Sequence, residues 1–433
     1  MLEQADIAAG RLPPAELAAN FADAHPPLTA DEALVEASRC YFCHDAPCTE
    51  ACPTDIDVPG FIRRIATGNT RGAAATIFAA NILGGSCARV CPTEILCEQA
   101  CVRLTQEHRP VNIGALQRHA TDWMMDRAIQ PFTRKPETGR RVAVVGSGPA
   151  GLACAHHLAR EGHAVTLFEA RARPGGLTEY GIAAYKVADD FARREIDWLL
   201  GIGGIEIRCD TALGRDISLA GLRAEFDAVF LAIGLGGVRA LGLTEETLAG
   251  VQDAVDFIAG LRQASDPGTV AVGRRVVVIG GGNTAIDAAS QSRRLGAAEV
   301  TMVYRRGPAQ MSATAEEQDW ARSNGVVIRH HASPVALLGA GGHVTGVRFA
   351  GADGEAIEIP ADMVLKAIGQ VLAPPPDTPA IEAGRIAVDP VTRETSLPGV
   401  FAGGDCIAGV DLTVQAVQDG KLAAQAIHRR LSA

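Results

Sequence analysis

The stretch from Arg140 to Ala170, RRVAVVGSGPAGLACAHHLAREGHAVTLFEA, restricts the fold of this chain more than any other. The apolar run Val142 to Val145 predicts a buried strand, and an Ala-rich segment with helical spacing follows it. Between them lies Gly146-x-Gly148-x-x-Gly151, and a second apolar run ends on Glu169. A strand, a glycine turn, a helix and a second strand in one short span must lay the strands parallel, with the helix across them. Each position then has a physical task. Gly146 permits the tight turn, Gly148 lets a pyrophosphate approach the backbone, and Gly151 lets the helix pack close to the strand. The helix N-terminus faces the phosphates, and Glu169 stands where a carboxylate can bind a ribose hydroxyl. A bare GxGxxG says little; this order of elements, closed by an acid, predicts a dinucleotide site.

The pattern occurs a second time, in RRVVVIGGGNTAIDAASQSRRLGAAEVTMVYRR, as Gly280-x-Gly282-x-x-Ala285. Its second strand ends on Tyr304-Arg305-Arg306 without an acid. An arginine there accommodates a 2'-phosphate, which leans toward NADPH and leaves NADH against NADPH open.

Of eleven cysteines, eight fall between Cys40 and Cys101. The first group is Cys40-x2-Cys43-x4-Cys48-x3-Cys52-Pro53, and the second is Cys87, Cys91-Pro92, Cys97 and Cys101. In a reducing compartment such clustering indicates metal rather than disulfides. Zinc ribbons also open with C-x2-C, but the second group has no such knuckle, and each group contains the Cys-Pro of ferredoxin-like runs. The Cys before that Pro ligates the other cluster in two-cluster ferredoxins, which would cross-link the groups. Iron–sulfur is therefore expected, in a small helical module held by PGFIRRIATGNTRGAAATIFAANILGG; spacing alone leaves the pairing open.

Three further signals complete the frame. Gly175-Gly176 makes a backbone bend, Phe226 to Gly236 reads as a buried strand ending in glycines, and GVFAGGDC places Asp405 after a short strand. From Thr413 a helix start is expected. Asp405 would then face the ribityl hydroxyls of a flavin. The formal charge of -10 and the lack of a Lys/Arg run exclude nucleic acid as a partner, and 4% aromatics leave no stacking platform. No apolar run reaches membrane-spanning length and no signal peptide opens the chain, so a cytoplasmic protein without a membrane is expected.

With these residues in view the chain resembles the FAD and NAD(P)-binding, iron–sulfur subunit of bacterial dihydropyrimidine dehydrogenase, in the superfamily of the glutamate synthase small subunit. The phrases APCTEACPTDIDVPGFI, CARVCPTEILCEQAC and VNIGALQ carry the resemblance, which covers about Cys40 to Lys421. It implies an α/β fold with two Rossmann-like dinucleotide-binding domains of the disulfide-reductase type, preceded by an α-helical domain with two [4Fe-4S] clusters. The domains would be 1–139 (iron–sulfur and linker), 140–250 and 371–433 (FAD) and 251–370 (NAD(P)). It implies Cys40, Cys43, Cys48 and Cys101 around one cluster. Cys52, Cys91, Cys97 and, unusually, Gln117 would hold the other, with Cys87 spare. FAD would be held at Gly146, Gly148, Gly151, Glu169, Gly176, Leu177, Lys186, Asp405 and near Thr413. The nicotinamide nucleotide, as NAD(P)H, would lie against Gly281, Gly282, Asn283, Thr284, Arg305 and Arg306. Lys186 stands where the eukaryotic enzymes have Arg, keeping the charge but losing the planar fork. The expected activity is electron input. Electrons would pass between NAD(P)H, FAD and the clusters to an FMN-containing catalytic subunit that interconverts uracil or thymine and their 5,6-dihydro forms. The chain ends straight after the flavin domain, so the pyrimidine site is expected on that subunit. The alternative is the glutamate synthase small subunit, supplying electrons for glutamate formation from glutamine and 2-oxoglutarate.

Overall fold

A computed structural model describes residues 7–433, which form two compact units. The larger comprises His25–Glu179, Asp189–Gly236 and Leu372–Ala433. Its frame is a five-stranded parallel sheet in the order Val400–Ala402, Ala228–Leu231, Arg141–Val145, Ala164–Phe168, Ile205–Arg208. The β-branched run after Arg141 is buried throughout, as a central parallel strand covered on both faces requires. Gly146 ends it with φ of 100°, and a Cβ there would stand 2.2 Å from the Ala232 carbonyl oxygen. The helix Pro149–Arg160 follows at once, with Pro149 at its first position, where the missing N–H costs nothing. The helix Thr413–Ser432 crosses it at Gly420, where a Cβ would lie 2.1 Å from the Ala150 carbonyl oxygen.

The helices that surround the two cysteine groups belong to the same unit. Their starts are written in side chains: Thr29 and Glu32 form a capping box on Ala30–Ser38. Asp57, Asn69 and Asn112 cap Val58–Ala66, Thr70–Ala80 and Ile113–Met125. Phe61, Ile62, Ile77, Phe78, Leu116 and Met124 fill the space between these helices. The module is joined to the helices Phe191–Leu200 and Thr413–Ser432 by Phe78 against Trp198 (centroids 4.3 Å apart) and by Lys421, whose Nζ donates to the carbonyls of Thr54 and Ala80 at 3.1 Å each.

The smaller unit comprises the stretch ending at Ala24, Tyr180–Ala188 and Gly237–Val371. Its parallel sheet runs Val327–Arg329, Glu299–Val303, Arg275–Gly280, Met363–Ala367, Val251–Asp253, so the strand before the glycine turn is again central. An antiparallel sheet of Ser333–Ala340, His343–Ala350 and Ala356–Pro360 covers part of it.

The division of the chain differs from the expected block 1–139, whose first six residues lie outside the described ones. Ile7–Ala8 pairs antiparallel with Val272–Gly273, and Leu17 is buried among Phe257, Ile258 and Leu261. The spacing of a short amphipathic stretch marks an apolar face but not which core receives it, and here the nucleotide fold does. Among the described residues no single helix is long and apolar enough to cross a membrane. The bent pair Thr70–Ala80 and Gly84–Val90 reaches the length and composition only jointly, and Ala73, Ala74, Ile77, Phe78 and Gly84 to Cys87 are buried within the larger unit.

Candidate iron–sulfur and dinucleotide sites

Cys40, Cys43, Cys48 and Cys101 line one pocket, with Pro47, Val58, Ile62, Val111 and Ile113 as its apolar wall. Three of these cysteines come from the loop before and the first turn of Pro47–Glu50, and the fourth is the residue before the helix Val102–Glu107. Burial, then the neighbouring Cys40 and Cys101, pushes the Cys48 thiol up to about 12. Burial likewise raises Cys40, against the N–H of Phe42, which donates to the Cys40 sulfur at 3.4 Å. Thiols crowded in an apolar wall ionise only when a cation compensates them, which iron does. Four sulfurs ringing a pocket, with a backbone N–H already on one of them, fit a [4Fe-4S] cluster. Among the described residues no three Cys, His, Asp or Glu side chains converge as ligands of a single ion.

The second group gathers Cys52, Cys87, Cys91 and Cys97. Cys91 is raised well above its ordinary value by a hydrogen bond with Cys87, then by burial, Cys87, Cys97 and Cys52. Cys97 is raised by burial, then by Glu98, Cys52 and Cys48. Cys48 of the first group and Cys97 of the second are thus electrostatic neighbours, so the two groups adjoin. Gln117 is buried on Ile113–Met125, and its Nε2 donates to the Gly84 carbonyl at 2.7 Å. That bond uses the amide nitrogen and leaves the oxygen as a metal donor. Cys87, expected as a spare thiol, is buried against Cys91.

The first glycine turn is stitched by Glu169. One carboxylate oxygen accepts from the Ser147 N–H at 3.0 Å and from its hydroxyl, and the other accepts from the Arg171 N–H at 2.9 Å. Gly175 N–H donates to the Ser147 hydroxyl at 3.1 Å, which seats Gly175-Gly176 on the turn. Gly176 has φ of 55°, and a Cβ there would lie 2.6 Å from the Gly148 Cα. A backbone cradle with no side chain on either wall is the form a pyrophosphate takes. A Cβ on Gly404 would lie 3.0 Å from the Ala150 Cβ in the first turn of Pro149–Arg160 and 3.6 Å from the Ala416 Cβ near the start of Thr413–Ser432, and Asp405 follows Gly404 in the chain. Burial, then Asp411, lifts the Asp405 carboxyl to about 6. An acid disfavoured as a bare anion is suited to partners that donate to it, such as sugar hydroxyls. Leu177 is exposed at the start of the helix Leu177–Tyr180.

In the smaller unit Gly282 caps Asn283–Arg294, placing Asn283 and Thr284 in its first turn. A Cβ on Gly281 would meet the Tyr304 ring at 2.4 Å. Arg306 Nε donates to the Tyr304 hydroxyl at 3.0 Å, which itself donates to the Gln310 carbonyl at 2.6 Å, while Arg305 is exposed. Lys186, expected at FAD, belongs to this unit, with its Nζ 2.8 Å from Asp287 and 2.5 Å from Glu317. Burial pulls its pKa down, but the two carboxylates outweigh it and hold the ammonium charged.

Ser147, Lys421 and Glu195 were not among the residues expected at these sites. Glu195 is fully buried, accepts from Ser86 and is lifted to about 7 by burial. A signal for it existed: it interrupts the apolar stripe Phe191, Ala192, Ile196 and Leu199 of one helix.

Residues 140–420 match the family described as pyridine nucleotide-disulphide oxidoreductase. The chain belongs to that family. Ahead of this oxidoreductase core, residues 17–129 match dihydropyrimidine dehydrogenase domain II, 4Fe-4S cluster. This oxidoreductase is similar to the NAD-dependent dihydropyrimidine dehydrogenase subunit PreT of Salmonella typhimurium, at 39% identity over 92% of this chain and 94% of that one. The Escherichia coli K12 protein of the same name is 37% identical over 94% and 96%. The glutamate synthase [NADPH] small chain of E. coli K12 is 32% identical over 94% and 93%. Among solved structures, Mycobacterium tuberculosis FprA in complex with NADPH shares the fold, with a TM-score of 0.56 at 21% identity over 69% of this chain and 85% of that one. The cofactors of this pyridine nucleotide-disulphide oxidoreductase are FAD, a nicotinamide nucleotide and 4Fe-4S clusters.

Proposed function

We propose that this chain is the electron-input subunit of a dihydropyrimidine dehydrogenase, and that it works in the cytoplasm with an FMN-containing catalytic subunit. The observation that carries the proposal is that both cysteine groups and the Glu169-stitched glycine turn lie in one compact unit, bolted together by Lys421 and Glu195. When bound, FAD exchanges a hydride with the nicotinamide and the clusters carry electrons one at a time. The protein supplies position and electrostatics. Gly148 and Gly176 would cradle the pyrophosphate, Glu169 and Asp405 would take sugar hydroxyls, and Thr413 opens the helix beneath. Cys40, Cys43, Cys48 and Cys101 would hold one cluster; Cys52, Cys91, Cys97 and Gln117 the other. Gly281, Gly282, Asn283 and Thr284 would receive the nicotinamide nucleotide, with Arg305 and Arg306 at its ribose. No side chain needs to move a proton in the hydride step. The relatives at 37–39% identity, named for dihydropyrimidine dehydrogenase, support the uracil or thymine partner over the glutamate synthase reading at 32%.

The test is isolation through a tag on this chain, anaerobically, from its native cells. We expect an FMN-containing subunit to copurify and NADH or NADPH oxidation to depend on uracil. Oxidation that instead requires glutamine with 2-oxoglutarate assigns the chain to glutamate synthase.

A further inference from the structure

We propose that Glu195 is the positioning residue for the second cluster. It locks the first turn of the Gly84–Val90 helix, so that the Gly84 carbonyl holds the Gln117 amide by its nitrogen and its oxygen would be the atom offered as a ligand. The inference rests on the reading of Gln117 as a ligand.

The Gly84–Val90 helix carries Cys87 and leads into Cys91, yet its N-cap, Leu83, has no side-chain acceptor. The N–H groups of a first turn need a partner from elsewhere. Glu195, 109 residues away, supplies it: its carboxylate takes the Ser86 N–H at 3.0 and 3.2 Å and also accepts from the Ser86 hydroxyl. Gly85 permits the approach, since a Cβ there would lie 2.6 Å from the Phe191 ring and 2.8 Å from Glu195. One turn on, Arg89 lies over the Phe191 ring at 3.4 Å and donates to the Gly85 carbonyl at 3.1 Å and to Asp122 at 2.8 Å. The short helix is therefore fastened on one side to Phe191–Leu200 and on the other to Ile113–Met125, the helix of Gln117.

The consequence for Gln117 follows from its chemistry. An amide has one oxygen that can ligate iron and one NH2 that cannot. The bond from Nε2 to the Gly84 carbonyl, at 2.7 Å, selects between the two orientations. Gly84 is two residues from Ser86, in the turn that Glu195 holds. Outer partners of this kind orient ligands and change metal retention roughly 10–100-fold when removed. A carboxylate at 0% exposure inside an apolar stripe is costly to keep for packing alone.

The test uses the full chain, anaerobically reconstituted with iron and sulfide, as wild type and as Glu195→Gln, Ser86→Ala and Gln117→Ala. Readouts are the EPR signals of the dithionite-reduced clusters, the rate of cluster loss to a chelator, and FAD content; none depends on turnover. We expect Gln117→Ala to alter one of the two cluster signals. Glu195→Gln and Ser86→Ala should alter that same signal and speed loss of that cluster by roughly tenfold or more, with the other cluster and FAD retained. If Gln117→Ala changes one signal while the other variants leave both signals and both loss rates at wild-type values, Glu195 is only a packing residue and the proposal is overturned. Should Gln117→Ala leave both signals unchanged, the ligand assignment fails and the proposal with it. Ser86→Ala removes the hydroxyl contact and keeps the N–H bonds, so where Glu195→Gln does not fold, Glu195→Asp, which keeps the charge and shortens the reach to the Ser86 N–H, is read in the same way.

Discussion

The two nucleotide-binding sheets share one plan. In each, the strand before the glycine turn is central, and its helix begins at the second glycine of the motif. They diverge after that. The first turn is sewn shut: Ser147 bonds both Glu169 and Gly175, and Gly420 brings a second helix against the Ala150 backbone. The other turn keeps Arg305 exposed, with Tyr304 rather than an acid beneath Gly281. One plan therefore serves two kinds of occupancy. In the function proposed above, the closed polar network would hold the cofactor that stays, and the cradle with an open charged rim would take the nucleotide that exchanges.

The third motif position offers the sharpest way to break this comparison. A Cβ on Gly151 would stand 1.9 Å from the Gly146 carbonyl oxygen, whereas Ala285 already carries one and is fully buried. Gly151→Ala should cost about 3 kcal/mol or more and yield protein without flavin absorbance. The mirror change, Ala285→Gly, should cost about 1 kcal/mol and leave FAD in place. Equal melting shifts for the two variants would mean that the turns are packed alike. Next in size, Cys43→Ser should remove the iron of one cluster while FAD and the other cluster remain, and Cys87→Ala should leave the iron content unchanged. Iron loss in Cys87→Ala would make Cys87 the fourth ligand in place of Gln117.

Acid should separate the halves as well. Burial lowers His156 to about 3 and His157 to about 4, both on the helix Pro149–Arg160 of the larger unit. The unfolded chain takes up these protons near pH 6.5 and the folded chain does not, so stability is held above that pH. It is lost as pH falls from 6.5 toward 4, at up to about 1.4 kcal/mol per pH unit for each group. Melting curves of His156→Gln against wild type over this window should show a shallower slope; parallel curves would refute a neutral buried His156. Smallest is the rim: Arg305→Ala should raise KM for NADPH roughly tenfold, about 1.4 kcal/mol, and barely change KM for NADH. No difference between the nucleotides would place a free ribose hydroxyl at Arg305.

The parts that could be read in advance were those whose constraints are local. A turn that needs Gly146, a helix that opens where that turn ends and a strand of apolar β-branched residues are each decided within a few residues. The strand expected at Val142 to Val145 is Arg141–Val145, and the helix expected after the glycine turn is Pro149–Arg160. Placements that depend on distant partners were not legible. The stretch at Leu17 carries an apolar face, but only the packed chain shows that Phe257 and Leu261 cover it. Glu195 is visible as an acid on an apolar stripe, yet Ser86 as its partner is not.

By itself, then, the sequence determined that there are two glycine-turn nucleotide folds and a module rich in cysteine, because spacing along a strand or helix is set by backbone geometry. Tertiary structure decided that Cys101 closes the pocket of Cys40, Cys43 and Cys48, and that Cys87 lies against Cys91. It also decided that a carboxylate from the helix Phe191–Leu200 takes the Ser86 N–H of the helix leading to Cys91. Such choices compare the burial and hydrogen bonding of residues far apart in the chain, and those free energies exist only once the core is assembled.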